Sequence, residues 1–587
     1  MNKTLKKRSQ KISKKITLFG RKLSENSKEH VKENLIGHIS HVKNVRLFVL
    51  EWVLLILAIL LFATVQSVWY SESYAVETYT DGGNFTEGTL GKINSMNPLF
   101  ATTFSEEALS RLMFARLAEV DYSGHTGAGL AETITSNTIG DEWTVRLRQN
   151  LKWSDGDDLT TEDVLYTVNT IKSASLKSNF SNKLNGVTVR QSEDGSLVFK
   201  LENTNAFFES NLNFPILPAH ILKDVKPEQL NEHKMFTKPI SSGPFVFKAT
   251  QTIGNEGEKV VYLNRNQNYY KGMTLLDSFS IHAFLTTDAI KASLKSGSIT
   301  ATGSLPSRYT TELLNEKSLK EQQTTVNYGV FAFLNTTSTS NTALQDKAFR
   351  QALRQGLNYG NLLSGLNGEQ ALKFPITEQQ AKTLSFPEAA TTNVTEAKSK
   401  LDNFKANKPE YFGTDLRIVT VKGDKYMEEI ANRLGEQLKS LGVPNQVAAY
   451  EASQDFTLNV LRPRNYDILI YEIAMGADPD VVPYYHSAEA TENGYNLSNY
   501  KNATVSNLIL SARNTIDTSL RDAKYRKFLE IWLDEVPSIA LYQSSLPYFM
   551  NKNVRAFSAD QHLVSGEDRF NDIINWSVKK TFKNRTP

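Results

Sequence analysis

The sequence predicts a mixed α/β body of at least two lobes preceded by one transmembrane helix, and three observations carry that expectation. Short runs of period-two alternation are interleaved with amphipathic runs of helical spacing along most of the 587 residues. A single long apolar stretch, Leu47–Trp69, lies near the N-terminus, and no second one follows it. The composition, 40% hydrophobic and 22% charged with 17 prolines, is that of a folded globular protein rather than a disordered or fibrous one. At roughly 100–200 residues per domain the length allows several domains or one large multi-lobed unit.

Taken in chain order, residues 1–46 carry a net charge of +10 while the remaining residues carry −7. An acidic body argues against nucleic acid as a partner, because phosphate binding needs a concentrated cationic face. The basic tail finds its explanation in the 23 residues Leu47–Trp69 that follow it. At 1.5 Å per residue they make a helix of about 35 Å, enough to span a bilayer. Trp52 sits at one end, Trp69 and Tyr70 at the other, and the Lys/Arg excess is confined to the N-terminal side. That asymmetry places the tail in the cytoplasm and the body outside. A cleaved signal peptide is the competing reading, but its basic region would be unusually long and its nearest small-residue site, Ser73-Tyr74-Ala75, is weak. Retention as an anchor is therefore favoured. The polar segment 71–86 reads as a stalk.

Glu142–Arg148 and Leu197–Leu201 alternate as strands. Between them, Asp155-Gly156 marks a tight turn, and Thr160 with Asp163 forms a capping pattern ahead of a helix over Val164–Ile171. Ile240–Phe247 and Lys259–Asn266 read as a strand pair separated by the loop around Gly254 and Gly257. Val326–Asn335 is a strand before the helical run Lys347–Leu357. The segments Arg417–Val421, Tyr426–Leu441 and Asp467–Ile473 repeat the strand, helix, strand order of an α/β lobe. A long helix over Asp517–Glu535 and a strand at Ser538–Tyr542 complete the pattern.

The catalytic signatures an enzyme of this size might carry are missing: there is no G-x-S-x-G, no G-x-x-x-x-G-K-[ST] and no H-E-x-x-H. The absence of cysteine removes disulfides, thiolate nucleophiles, thiolate metal sites and a lipid-bearing anchor cysteine. The nine histidines are scattered, and adjacent carboxylates such as Asp157/Asp158 and Glu428/Glu429 read as solvated faces. No catalytic residue, metal ligand or cofactor is expected. A binding protein fits such a sequence, since binding asks only for a concave pocket with a few fixed polar groups.

A series of spaced segments resembles the family 5 extracytoplasmic solute-binding proteins of ABC transporters, the oligopeptide and dipeptide-binding group. Its most specific stretch runs from Trp143 through Trp153-Ser-Asp-Gly to Thr160-Thr-Glu-Asp-Val. Leu217-Pro-Ala-His-Ile-Leu, Ser242-Gly-Pro-Phe, Arg265-Asn-Gln-Asn-Tyr-Tyr-Lys-Gly, Phe333-Leu-Asn and Phe349-Arg-Gln-Ala-Leu follow in order. Ala477-Asp-Pro-Asp, Ser506–Ala512, Arg521-x-x-x-Tyr and Val536-Pro-Ser-Ile-Ala-Leu close the series, which covers about residues 78–575.

The resemblance implies a periplasmic-binding-protein-like fold of type II, two-lobed with an extra N-terminal subdomain. The implied divisions are the tail 1–46, the span 47–70, the stalk 71–86, lobe 1 over 87–330 with the subdomain at about 119–239, lobe 2 over 331–540, and a C-terminal return 541–587 to lobe 1. It also implies hinge closure on a peptide-like solute, delivery to permease subunits, and no enzymatic activity. Asp478 falls where the family's acidic residue meets the ligand's α-ammonium. The motif is shorter here than usual, so Asp480 is an alternative partner, or both are turn residues around Pro479. Tyr471, Tyr484 and Tyr485 flank the motif and are candidates to line the pocket, with core packing as their default. A nonpeptide solute (an oligosaccharide or metal chelate), a ligand-sensing receptor and an envelope hydrolase are the rival readings.

Overall fold

A computed structural model describes residues 42–584 apart from 177, 255, 256, 304, 306–309, 367, 390, 423 and 424, so most of the basic tail lies outside the described residues. The chain divides into two units, residues 1–78 with 581–587, and Tyr79–Lys580. In the first, Val42–Tyr74 is one helix of 33 residues. Its segment Phe48–Ser67 has a mean hydropathy of 2.7, and among the described residues it is the one helix long and apolar enough to cross a membrane. The helix runs past the expected end of the span, and Ala75–Thr80, expected as stalk, is a strand paired with Lys579–Asn584.

The second unit is organised on one sheet. Its strands run in the order Asn445–Tyr450, Leu416–Val421, Ile468–Ala474, Leu319–Leu334, Ser538–Asn551, Ala301–Thr302, Asn84–Leu90, Ser278–Phe284, Glu258–Arg265 and Phe245–Ile253. The first three lie on one side of the two long central strands, called here the lobe 2 side, and the last five on the other, the lobe 1 side. The central strands pair antiparallel from Leu319↔Asn551 to Phe333↔Ser538, with their register broken between Thr325 and Gly329 and again between Val330 and Phe331. Such bulges bend and twist a strand pair. The Gln543 amide fills the first break by donating to the Val326 carbonyl at 3.0 Å and to Asn327 Oδ1 at 3.3 Å. The sequence marks only the apolar lobe 2 ends of these strands. Their polar ends, such as Lys320–Thr325, are extended because the partner strand supplies the hydrogen bonds.

Lobe 2 shows why its strands read as continuous apolar runs. Phe331, Phe333, Val419, Leu469, Ile473 and Ala540 join one core. Their neighbours Ala332, Leu334, Ile418, Ile468, Ile470 and Leu541 join another. Side chains alternate across a strand, so two cores on successive residues mean a sheet buried on both faces. In lobe 1, Phe85, Phe279, Phe245, Phe570 and Trp576 lie in one core, with the Phe85 and Phe279 rings stacked at 5.0 Å. The same core continues into Trp143, Val145, Val164, Phe199 and Phe208 of the extra subdomain. The subdomain is built on a four-stranded sheet in the order Ala131–Ser136, Glu142–Leu147, Leu197–Leu201, Val187–Gln191. It is thereby fused to lobe 1.

The segments that carry the family resemblance are the staples of this fusion. Thr160 caps the helix Thr161–Lys172, and the Thr160 N–H donates back to Asp163 Oδ2 at 2.8 Å, the capping box read from the sequence. Asp163 Oδ1 accepts from the Ala219 N–H at 2.7 Å, and Thr167 Oγ1 accepts from the Leu217 N–H at 2.9 Å, which ties the Leu217–Leu222 segment to the helix. The Asn268 amide donates to the Trp153 carbonyl at 3.0 Å and the Asn266 amide to the Gly243 carbonyl at 2.8 Å. Gly243 lies so close to the Leu112–Phe114 backbone that a Cβ would fall 2.7 Å from a carbonyl carbon, so only glycine fits.

Candidate functional site

The strand Ile468–Ala474 feeds a loop whose backbone is held from behind. Asn327, fully buried at the register break of the central strands, donates to the Gly476 carbonyl at 2.9 Å and accepts from the Met475 N–H at 2.8 Å. The buried Gln380 amide donates to the carbonyls of Met475 at 2.8 Å, Gly476 at 3.2 Å and Asp478 at 2.9 Å. Gly476 has φ +75°, a left-handed backbone that suits glycine. The acidic motif is thus pinned to the crossing point of the two lobes.

Its two aspartates have different surroundings. Asp480 forms a bidentate pair with Arg513, Nε to Oδ1 at 3.0 Å and a terminal nitrogen to Oδ2 at 2.7 Å, and also accepts from the Val482 N–H at 3.2 Å. That arrangement compensates its charge within lobe 2. Asp478 points across to the subdomain, where the Ser210 hydroxyl donates to its Oδ2. Burial pushes the Asp478 carboxyl up to about 6; the Asp480 charge adds to the shift, while the Ser210 bond and the Arg521 charge oppose it. Glu209, beside Ser210 on the turn Phe208–Asn211, is pushed up to about 7 by burial and by the charge of Asp478. Burial thus raises both carboxyls.

The tyrosines divide in the same way. Tyr485 is fully buried, its hydroxyl 2.8 Å from Ser538 Oγ and its ring 5.6 Å from that of Phe528. Tyr484 is half-buried and its hydroxyl donates to the Ala474 carbonyl at the start of the acidic loop. Tyr471 is half-buried, with its ring 6.3 Å from Phe456. Tyr485 belongs to the core of lobe 2, whereas Tyr471 and Tyr484 keep an exposed edge.

Around Asp478 the subdomain and lobe 2 are in contact. Phe207 enters the lobe 2 core, with its ring 6.5 Å from Tyr525 and the Arg521 guanidinium 5.1 Å above it. The Ala206 N–H donates to the Arg513 carbonyl at 2.8 Å. The matched motif Arg521-x-x-x-Tyr thus serves the contact between lobes.

A cavity of about 610 Å³ is lined by Thr325 and Gln543 of the central strands, Phe374, Phe386, Lys373 and Lys382 of the 370–389 segment, and His562; Asp478, Asp480, Tyr471, Tyr484 and Tyr485 are not among its lining residues. Its wall at Thr377–Gln379 runs directly into Gln380, which holds the Asp478 carbonyl. The volume matches a small-molecule or peptide cleft. Elsewhere, Asp155, Asp157 and His220 bring three metal-type donor atoms within 4.8 Å of one another, with His220 Nε2 3.0 Å from Asp155 and 3.5 Å from Asp157. These residues belong to the staple region, and their pairing accounts for them without an ion.

Ser210, Glu209, Phe207, Asn327 and Gln380 were not legible as site residues. Glu209 and Ser210 lie in an unremarkable Asn-Ala-Phe-Phe-Glu-Ser run, and nothing in a linear sequence brings that run to Asp478.

One sheet carries strands on both sides of two long central strands, and the acidic loop is held by Asn327 at their register break. A family profile described as bacterial extracellular solute-binding proteins, family 5, matches residues 126–496, and the chain belongs to that family. The oligopeptide-binding protein AppA of Bacillus subtilis is 25% identical over 498 residues, covering 81% of this chain and 89% of AppA. The oligopeptide-binding protein OppA of Lactococcus lactis subsp. cremoris is 26% identical over 349 residues, 51% of this chain and 57% of OppA. The structure of AppA in complex with a nonapeptide matches with a TM-score of 0.66 at 23% identity, covering 86% of this chain and all (100%) of AppA. NikZ from Campylobacter jejuni in complex with Ni(L-His) matches with a TM-score of 0.69 at 19% identity, covering 84% and 99%. Both structures establish the fold. The chain is an extracytoplasmic substrate-binding protein of the ABC-transporter class.

Proposed function

We propose that the protein is a membrane-anchored receptor that captures peptides between its lobes and delivers them to the permease of an ABC importer. Asp478 carries the reading. It is a carboxylate without an ion-pair partner among the described residues, and its backbone carbonyl is held by Gln380, which follows the wall of the cavity of about 610 Å³ in the chain. An α-ammonium entering here gains a charge-assisted bond and relieves an uncompensated buried charge. Tyr471 and Tyr484 offer apolar edges beside the loop, as suits a site that takes varied side chains. The names of AppA and OppA support a peptide ligand. Phe48–Ser67, an apolar helical segment next to a basic N-terminal region, supports anchoring with the body outside. No bond is made or broken in this role.

Native mass spectrometry of the full chain in detergent, followed by denaturation, tests the ligand class. Release of peptides of a narrow length range supports the proposal; a glycan or metal chelate overturns the peptide assignment and keeps the binding role. Protease added to intact cells tests the topology. Trimming of the body with the tail protected is the expected outcome, and protection of the body reverses it.

A further inference from the structure

We infer that the cavity of about 610 Å³ is a specificity pocket for an acidic side chain, so that the peptides this protein selects carry Glu or Asp at one fixed position. The inference rests on the peptide-receptor reading and deepens it by naming the class of peptide.

The lining of the cavity divides by chemistry. Leu372, Phe374 and Ile376 are buried and apolar, which suits the methylene stem of a side chain. Lys373 and Lys382 line the same space, and neither makes an ion pair or a side-chain hydrogen bond among the described residues. Glu378 is the one carboxylate among the lining residues. Two lysines against one carboxylate leave a single positive charge before His562 is counted, in a body whose net charge is −7. A concave site of this kind concentrates field of one sign and takes a ligand group with one negative charge.

Gln379 gives the pocket a fixed donor. Its Nε2 is buried and has no hydrogen-bond acceptor among the described residues. The subdomain turn Asp121–His125 covers it: at Gly124, with φ +82°, a Cβ would fall 2.6 Å from that nitrogen and 3.2 Å from the Cβ of His562. The His562 N–H in turn donates to the Tyr122 carbonyl at 3.1 Å, so the turn is fastened where it closes against the cavity wall. A buried amide donor without an acceptor is costly, and a carboxylate oxygen supplies one. Position separates a side chain from the peptide's own C-terminus. Gln380, next in the chain after Gln379, holds the Asp478 carbonyl at 2.9 Å, so the cavity wall and the acidic loop are one side chain apart. A peptide whose α-ammonium meets Asp478 therefore offers the cavity one of its first side chains. Each further residue carries the chain about 3.5 Å onward, and the terminal carboxylate of a longer peptide lies beyond.

Calorimetry on the full chain in detergent, with alanine peptides of graded length in which Glu, Gln or Lys replaces each position in turn, tests this. At one position near the N-terminus Glu is expected to bind about tenfold or more tighter than Gln, and Lys more weakly than Gln. Lys373→Gln combined with Lys382→Gln should bring the Glu and Gln peptides at that position to equal affinity. Lys373→Arg combined with Lys382→Arg should keep the preference, a rescue that depends on charge and not on folding. Equal affinity for Glu and Gln peptides at every position overturns the inference and leaves the peptide reading standing, as does a preference that survives the loss of both lysines. A preference for Glu spread evenly over all positions also overturns it, because that marks long-range attraction instead of a pocket. A loss on C-terminal amidation without any choice between Glu and Gln assigns the cavity to the terminal carboxylate and overturns it too. If no peptide of the set binds, the peptide reading falls, and the inference with it.

Discussion

The staple region around Asp163 and the acidic loop at Asp478 each place an aspartate at a junction between segments, and they give it different hydrogen-bond partners. Asp163 accepts N–H bonds from Thr160 and Ala219 and is enclosed by the subdomain core. Both of its oxygens are occupied by the protein. Asp478 accepts only a hydroxyl from across the cleft, and Asp480 crowds it with like charge. The first arrangement is complete without a ligand, whereas the second is finished by one. Residues that identify the family in sequence are therefore mostly those that build the fold, and binding depends on what has been left incomplete.

The largest effect that would separate the two regions is on affinity. Asp478→Asn should weaken free-amine peptides by about 2–5 kcal/mol while sparing N-acetylated ones, as expected when one partner of a buried charge pair is neutralised. Calorimetry with matched peptides checks this; equal losses would place Asp478 with Asp163 among structural residues. Asp163→Ala should cost about 2–4 kcal/mol of stability in denaturant unfolding, because it strands the buried Ala219 N–H and removes a helix cap. It should leave the preference for free amines intact.

A pH effect of about 2 kcal/mol is expected at the acidic loop of the ligand-free protein, although burial raises the Asp163 carboxyl as well. The folded Asp478 carboxyl lies near 6 and that of Glu209 near 7, both above their ordinary values. Their contribution to stability is present below the ordinary carboxylate range and is lost as pH rises through those values. Asp478→Asn should therefore melt higher than wild type at about pH 8 and equally at about pH 4. A lower melting point at the higher pH would show that Asp478 is not a strained charge. The smallest effect is expected from Phe207→Ala, about 1–2 kcal/mol in affinity. It should weaken free and acetylated peptides alike, since Phe207 joins the lobes without touching the ammonium; selective loss for one series would assign it to the pocket.

Local order was legible wherever a segment carries its own reason to form. The Thr160/Asp163 pattern is a helix start, and the helix spans Thr161–Lys172. The strands at Glu142–Leu147, Leu197–Leu201 and Ile468–Ala474 lie where alternation or apolar runs place them. The central strands were recognised only at their lobe 2 ends, since Lys320–Thr325 and the stretch beyond Tyr542 lack an apolar signal and become strand by pairing with each other. Of the acidic motif, the sequence isolated Asp478 and Asp480 as a pair and could not divide them. Arg513 does so, from a helix 33 residues away in the chain.

By itself the sequence determined the membrane-spanning candidate and the α/β character of the lobes, because apolar periodicity, capping chemistry and tight-turn residues act within a few positions of one another; the family was legible through the resemblance of its spaced motifs. Only the tertiary structure decided that Asp480 is compensated and Asp478 is not, and that Phe207 joins the lobes. Charge and burial are properties of a place in space, and that place is assembled from segments that the chain keeps far apart.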